Sequence, residues 1–337
     1  MKKEKVVKNT DIESSLKADE LSSDFASFYQ GQITNSVTAI SKKSKHEVDP
    51  ETQAWLFPVE ELGGGKVVLE NADKNELTLS SAKLLDTITL VLTGILPYGA
   101  SDEKLSGYLD LELDVYKYMK FCGLQDKNQT VKQMKKDLEA LFNASTTAKI
   151  IRHVGKKEVE EVQDIRFIDE KPHGQIRDTA KIHIALSFAR YLTHNQIMQY
   201  PLKILLSSKN PNTYYIGKRL AELFNMNQGK TNEDSINIEN LLKFTPNIPT
   251  LEEEKGKGRH YRERCIQPLE NTLDELQQIG FLSEWYFMKA DKQMIPNEEL
   301  HAWSVGYNDW KQLYVHFVIK DYPLRENTTN LIEDLKK

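Results

Sequence analysis

The sequence predicts an α+β protein made of two domains that repeat one element order, preceded by a flexible N-terminal arm. Two observations carry this. Three segments with apolar residues at helical spacing are followed by short β-rich segments, and the same succession returns in the second half of the chain. At 337 residues, the length suits two domains of ordinary size, each with its own core. Residues 1–50 are rich in Lys, Ser, Asp and Glu and poor in large apolar groups, so they read as a disordered arm with one short helix near Ser23–Tyr29. The first domain is expected over 51–195 with an N-terminal hairpin, the second over 196–325, and a C-terminal tail over 326–337.

The elements follow in order. Gly63–Gly65 marks a turn, and Lys66–Leu79 reads as two short strands around Asn71–Asn75. Ser80 and Ser81 can cap a helix over Ala82–Leu96, which Pro97 stops. Asp110–Phe121 reads as a second helix, with Gly123 after its end. A third, Gln129–Phe142, places Val131, Met134, Leu138, Leu141 and Phe142 on one side. Strand character follows at Ala148–Val154, Val162–Ile168 and Lys181–Leu186. In the second half, Tyr214–Asn225 is an amphipathic helix, and Ile238–Phe244 is a short one ended by Pro246. A long third helix spans Arg259–Ile279 with Pro268 inside it, and strands follow at Leu282–Met288 and Gln312–Ile319. Three helices followed by a small sheet is the order of a winged helix, so the predicted fold is two winged-helix-like domains in tandem.

Charge narrows the function. The chain carries a net −5, yet Lys120–Lys157 holds nine Lys/Arg against three Asp/Glu. Lys203–Lys230 and Lys255–Arg264 each hold five against one, so the remainder carries −19. Basic faces on an acidic body suit phosphate binding, because the local field steers a polyanion. Four cationic side chains (Arg259, His260, Arg262 and Arg264) open the third helix of the second domain, where the helix dipole disfavours positive charge. Phosphate and guanine recognition would account for them. The expected DNA-binding residues are therefore Lys132, Gln133, Lys135 and Lys136 in the first domain. In the second they are Lys257, Arg259, His260, Arg262, Arg264 and Gln267.

Asn212–Leu223, Leu241–Phe244 and Arg259–Leu276 together resemble the C-terminal winged helix of plasmid-type replication initiators, and Leu84–Phe142 is similar in layout to their first winged helix. The resemblance covers roughly residues 80–325 and rests on helix order and a few positions. It implies sequence-specific binding of double-stranded DNA at origin repeats, followed by recruitment of a host initiator and a replicative helicase. A homodimer is compatible with it. Two alternatives stay open: a transcriptional regulator on the same fold, and a helicase-loading or protein-interaction adaptor whose basic faces meet acidic protein.

Enzymatic readings find little support. The eight histidines (His46, His153, His173, His183, His194, His260, His301 and His316) include no pair flanking one apolar residue, as the metal site of a rolling-circle initiator requires. Gly229-Lys230-Thr231 matches the end of a phosphate-binding loop, but Phe224 stands where that motif needs glycine. Gly63–Lys66 lacks the following Ser/Thr. Cys122 and Cys265 read as packing residues, although arginines flank Cys265 and would lower its thiol pKa. Glu252–Glu254 reads as a solvated charge run. The aromatics Trp285, Tyr286, Phe287, Trp303, Tyr307, Trp310, Tyr314 and Phe317 read mostly as strand core, with stacking on single-stranded bases as a lesser reading. No run approaches the roughly 20 apolar residues of a membrane span, and the basic N-terminus lacks the apolar segment of a secretory signal. The expectation is a cytoplasmic protein that is not an enzyme, with no cofactor, no metal and no membrane partner.

Overall fold

The computed structural model describes residues 26–30, 47–48, 55–59, 67–71, 78–154, 157–170, 176–193, 196–200, 202–257, 260–296, 300 and 306–321. Helices alternate with small antiparallel sheets, which makes the protein α+β. The chain divides into two compact units, Gln199–Pro323 forming the second. Most of the expected arm, the Gly63–Gly65 turn and the 326–337 tail lie outside the described residues.

In the first unit, strands β1 (Ala26–Gln30), β2 (Glu47–Val48), β3 (Trp55–Val59) and β4 (Val67–Asn71) precede helix α1 (Leu79–Ile95). Then come α2 (Asp102–Leu105), β5 (Asp110–Asp114), α3 (Val115–Phe121) and α4 (Lys127–Asn143). The unit continues with β6 (Ser145–Val154), β7 (Lys157–Arg166), β8 (Thr179–His183) and α5 (Leu186–Thr193), and β9 (Gln196–Tyr200) runs across the division between the units. One sheet has the order β2-β3-β4-β6-β7, β5 pairs with β8, and β1 with β9. Thr78 caps α1 by accepting the Ser81 N–H at 3.3 Å, and Leu84, Leu85, Ile88, Val91 and Leu92 fill its buried face. Asp126 caps α4 in the same way, accepting the Gln129 N–H at 3.0 Å, while Met134, Leu138 and Leu141 turn inward. Each such side chain stabilises the unit by about 1.5–3 kcal/mol through burial.

Three local expectations fail here. Asp110–Asp114 is a strand, not the start of a helix: Leu111 and Leu113 alternate with acidic residues and are buried against β8. The helix begins only at Val115, where Asp114 accepts the Lys117 N–H at 2.9 Å. Ala26–Gln30 is a strand rather than part of a short helix. Of Lys66–Leu79, Val67–Asn71 is strand β4, paired with β3, and Leu79 belongs to α1; the expected turn and second strand fall on residues 72–77, outside the described residues. Finally, Leu186 opens α5 instead of ending a strand.

The second unit contains α6 (Leu202–Ser207), α7 (Pro211–Asn227), β10 (Ser235–Asn237), α8 (Ile238–Leu242) and α9 (Leu251–Glu254). A π-helical turn (Arg262–Ile266) leads into α10 (Gln267–Gln278), followed by β11 (Leu282–Met288), α11 (Tyr307–Lys311) and β12 (Tyr314–Ile319). The sheet order is β10-β12-β11, all antiparallel, so the short strand before α8 pairs with the last strand of the unit. The expected uninterrupted third helix is instead widened ahead of Pro268. The Gln267 N–H reaches back five residues to the Arg262 carbonyl, and the proline falls in the first turn of α10, where a missing N–H costs least. Gly280, at φ 81°, ends α10 in the left-handed conformation that glycine tolerates. Trp310, expected in a strand, is buried from the short helix α11.

At Gly217, α7 packs against neighbouring helices. A Cβ there would lie 2.4 Å from Leu205 Cδ2 and 3.0 Å from Leu276 Cδ2, so adding one requires these two buried leucine side chains to shift. Gly217→Ala is expected to destabilise the protein by about 1–3 kcal/mol despite alanine's better helix propensity. Urea unfolding of the two proteins checks this; equal or greater stability in the variant would show that the leucines repack freely.

Candidate nucleic-acid interface

Helix α4 offers the clearer basic face. Lys132, Lys135 and Lys136 are exposed, and no carboxylate among the described residues pairs with them. Asn128 lies on the same stripe, four residues before Lys132. Gln133 stands apart from this group. Its Nε2 donates to Ser80 Oγ and Asp137 Oδ1, both at 3.0 Å, which directs the amide inward.

That contact belongs to a buried clasp. Asp137 is 2% exposed, and its Oδ1 accepts from Ser80 Oγ and Ser81 Oγ at 2.9 Å, from Gln133 Nε2, and from Thr78 Oγ1 at 3.4 Å. The clasp fixes the middle of α4 to the N-terminal cap of α1. Burial raises the Asp137 pKa above the usual carboxylate value, outweighing the four hydrogen bonds, which act to lower it.

Lys127, at the start of α4, and Tyr116, in α3, form a pair that sequence spacing did not single out. Lys127, a cation at a helix N-terminus, is held by Asp178 at 2.5 Å and donates to Tyr116 Oη at 3.0 Å, with its ammonium 4.5 Å from the Tyr116 ring centre. Tyr116 is 55% exposed, an unusual position for an aromatic beside a basic helix face. Its position after the Asp114 cap was the available sequence signal. Directly after α4, β6 and β7 form a hairpin of ten residues in each strand, paired from Ser145–Arg166 out to Val154–Lys157.

The second unit arranges its cations differently. Arg264 Nη1 donates to Glu254 Oε2 at 2.9 Å, and Lys257 Nζ reaches Glu254 Oε1 at 3.4 Å. Arg262 Nη2 meets both carboxylate oxygens of Glu270 at 3.3 and 3.2 Å, and Nη1 donates to the Leu300 carbonyl at 3.4 Å. His260 lies 3.8 Å from Glu263. Gln267 is exposed, and Arg259 lies outside the described residues. Glu254 is thus a buried ion-pair partner, not part of a solvated charge run.

The thiols are held as packing groups. Burial raises Cys122 to about 11 and Cys265 to about 12. For Cys265, Glu254 and Glu239 add to the rise and outweigh Arg264, so the expected lowering by flanking arginines does not occur. Among the described residues there is no group of three or more His, Cys, Asp or Glu that could hold a metal, and no helix long and apolar enough to cross a membrane.

No protein-family profile matches the chain, and no curated protein matches it. Among solved structures it is similar to RctB domains 2–3, with a TM-score of 0.44 at 12% identity, covering 90% of this chain and 100% of that one. A selenomethionine form of domains 2 and 3 of RctB gives a TM-score of 0.44 at 12% identity, covering 84% of this chain and 97% of that one. Likeness at this level fixes neither a fold family nor an activity.

The clasp generates a pH prediction. A carboxyl whose folded pKa is raised contributes stability that is fully present below its unfolded value, near 3.8, and is lost as pH rises through the folded value. Wild type should therefore gain stability relative to Asp137→Asn as pH falls from neutral towards 3.8. Urea unfolding of both proteins across that range checks the sign, and a wild type that loses stability relative to the variant on acidification would contradict it. Asp137→Ala, which strands the Ser80 and Ser81 hydroxyls, should cost about 1–3 kcal/mol at neutral pH.

Proposed function

We propose that the chain binds duplex DNA sequence-specifically, as a protein of the replication-initiator type, with each unit acting as a winged-helix reader. The observation that carries this is the face of α4. Three lysines project from it without acidic partners among the described residues, and a long antiparallel hairpin follows the helix directly. A helix of this kind lies in the major groove while the hairpin tracks the backbone beside it. The second unit supports the reading through its order of elements. With the short helices α6, α9 and α11 set aside, the order is helix, strand, helix, helix and two strands, with the first strand paired to the last, an order compatible with a winged helix.

On this reading Lys132, Lys135 and Lys136 release counterions from phosphates, and the clasp at Asp137 sets the depth and tilt of α4. Gln133 supports the helix through Asp137 instead of reading bases. In the second unit Arg259, His260, Arg262 and Gln267 form a further contact set, while Lys257 and Arg264 are paired with Glu254 in the free protein and stand outside it. The work is done by binding energy, without cofactor or metal, on origin repeats in the cytoplasm. Opening the duplex then falls to bending strain and to partner proteins, a host initiator and a replicative helicase.

Fluorescence-anisotropy titration tests this with duplex from the gene's own neighbourhood and scrambled duplex, at several salt concentrations. Native duplex should bind more tightly. Replacing Lys132, Lys135 and Lys136 by alanine should weaken both duplexes and reduce the salt slope by about two to three, at about 0.9 per phosphate contact. Equal, weak binding that ignores the triple substitution would overturn the reading and favour an adaptor that meets acidic protein. Preference for one short palindrome over an array of repeats would favour a transcriptional regulator.

A further inference from the structure

In the second unit the cations and their partner carboxylate differ sharply in exposure. The Glu254 side chain is 8% exposed, while those of Arg264 and Lys257 are 53% and 59% exposed. The anion lies beneath and the two cations reach down to it from solvent. Its position is set by α9. Thr250 and Glu253 form a reciprocal capping box, with the Glu253 N–H on Thr250 Oγ1 at 3.2 Å and the Thr250 N–H on Glu253 Oε2 at 2.5 Å. Glu239, a second buried carboxylate, accepts the Leu251 N–H at 2.9 Å. Glu254 is thereby fixed at the last position of a one-turn helix, and the Lys257 N–H bonds its carbonyl at 3.0 Å.

Such an arrangement is an anion seat that is already filled. Arg264 sits in the π-helical turn two residues after Arg262, on the segment that leads into α10. A carboxylate and a phosphodiester present the same acceptor chemistry to a guanidinium and an ammonium. We propose that Arg264 and Lys257 form a phosphate seat that the free protein fills with its own Glu254, so that the second unit grips duplex DNA only when that carboxylate is displaced or neutralised. Removing both cations from Glu254 would leave a buried, uncompensated charge, which opposes the exchange strongly. The unit is therefore held in a weakly binding state, while α4 of the first unit is open to phosphate throughout. This rests on the duplex-DNA reading and adds a built-in restraint to it.

The test uses the full chain and scrambled duplex at low salt, so that phosphate contacts dominate the anisotropy signal. The proteins are wild type, Glu254→Gln, Arg264→Ala and the double variant. Glu254→Gln should bind on the order of tenfold more tightly, with a salt slope steeper by about one to two. Arg264→Ala alone should change wild-type affinity by less than about twofold and should cancel the gain in the double variant. If circular dichroism shows that Glu254→Gln is misfolded, Glu254→Asp, which keeps the charge and lengthens both pairs, takes its place with the same expected direction.

No gain in the folded glutamate variant, or wild-type binding that collapses on Arg264→Ala, would overturn the proposal. Absence of duplex binding by all four proteins would overturn it as well. The two readings fail separately. A gain from Glu254→Gln with no effect of the Lys132, Lys135 and Lys136 substitutions would sink the α4 interface and keep the seat; the reverse pattern would sink the seat alone.

Discussion

The buried carboxylate of Asp137 is the constraint on which the placing of the lysine-bearing face of α4 depends. An amphipathic helix packed only by Met134, Leu138 and Leu141 can slide or rotate by a fraction of a turn at small cost, because apolar contact has little directionality. Four hydrogen bonds converging on one oxygen remove that freedom. Three of the donors, Thr78, Ser80 and Ser81, belong to the cap and first turn of α1, so one group that starts a helix also registers its neighbour. The desolvation that raises the Asp137 pKa accompanies this positional definition.

Clustered positive charge has different meanings in the two units, and the difference lies in what surrounds it. Counted along the chain, Lys255–Arg264 looks as basic as the segment containing α4. In three dimensions Glu254 answers Lys257 and Arg264, and Glu270 answers Arg262 from two turns further along the helix. The lysines of α4 have no such counterpart among the described residues, and Asp137 on the same helix is turned into the core and spent on hydroxyls and an amide. Net local charge is a property of sequence, whereas available charge is a property of pairing, and only the second attracts phosphate.

Long helices with strong apolar period were legible from the sequence: α1, α4 and α7 each fall within a few residues of where spacing and capping put them. The strand β5 was not, because its five residues run straight into α3, so that alternation of period two and a helical stripe share Leu111 and Val115. The signal was present in Glu112 between Leu111 and Leu113 and in Asp114 as a cap, but a short strand is outweighed by a longer apolar pattern beside it. The interface was half legible. Lysine positions on α4 follow from helical spacing alone, whereas the inward turn of Gln133 depends on Ser80, distant in sequence by 53 positions.

The π-helical turn before Pro268 shows how a local constraint can serve the site. A proline inside a regular helix would clash with the carbonyl four residues back and force a kink. Widening the backbone over Arg262–Ile266 absorbs the proline and gives that segment a helical phase different from the one an unbroken helix would impose. In this phase Cys265 and Ile266 turn into the core, while Arg264 points to Glu254 and Arg262 to Glu270. The proline, read along the sequence as an interruption, is therefore tied to the same backbone widening that brings each arginine to its acid.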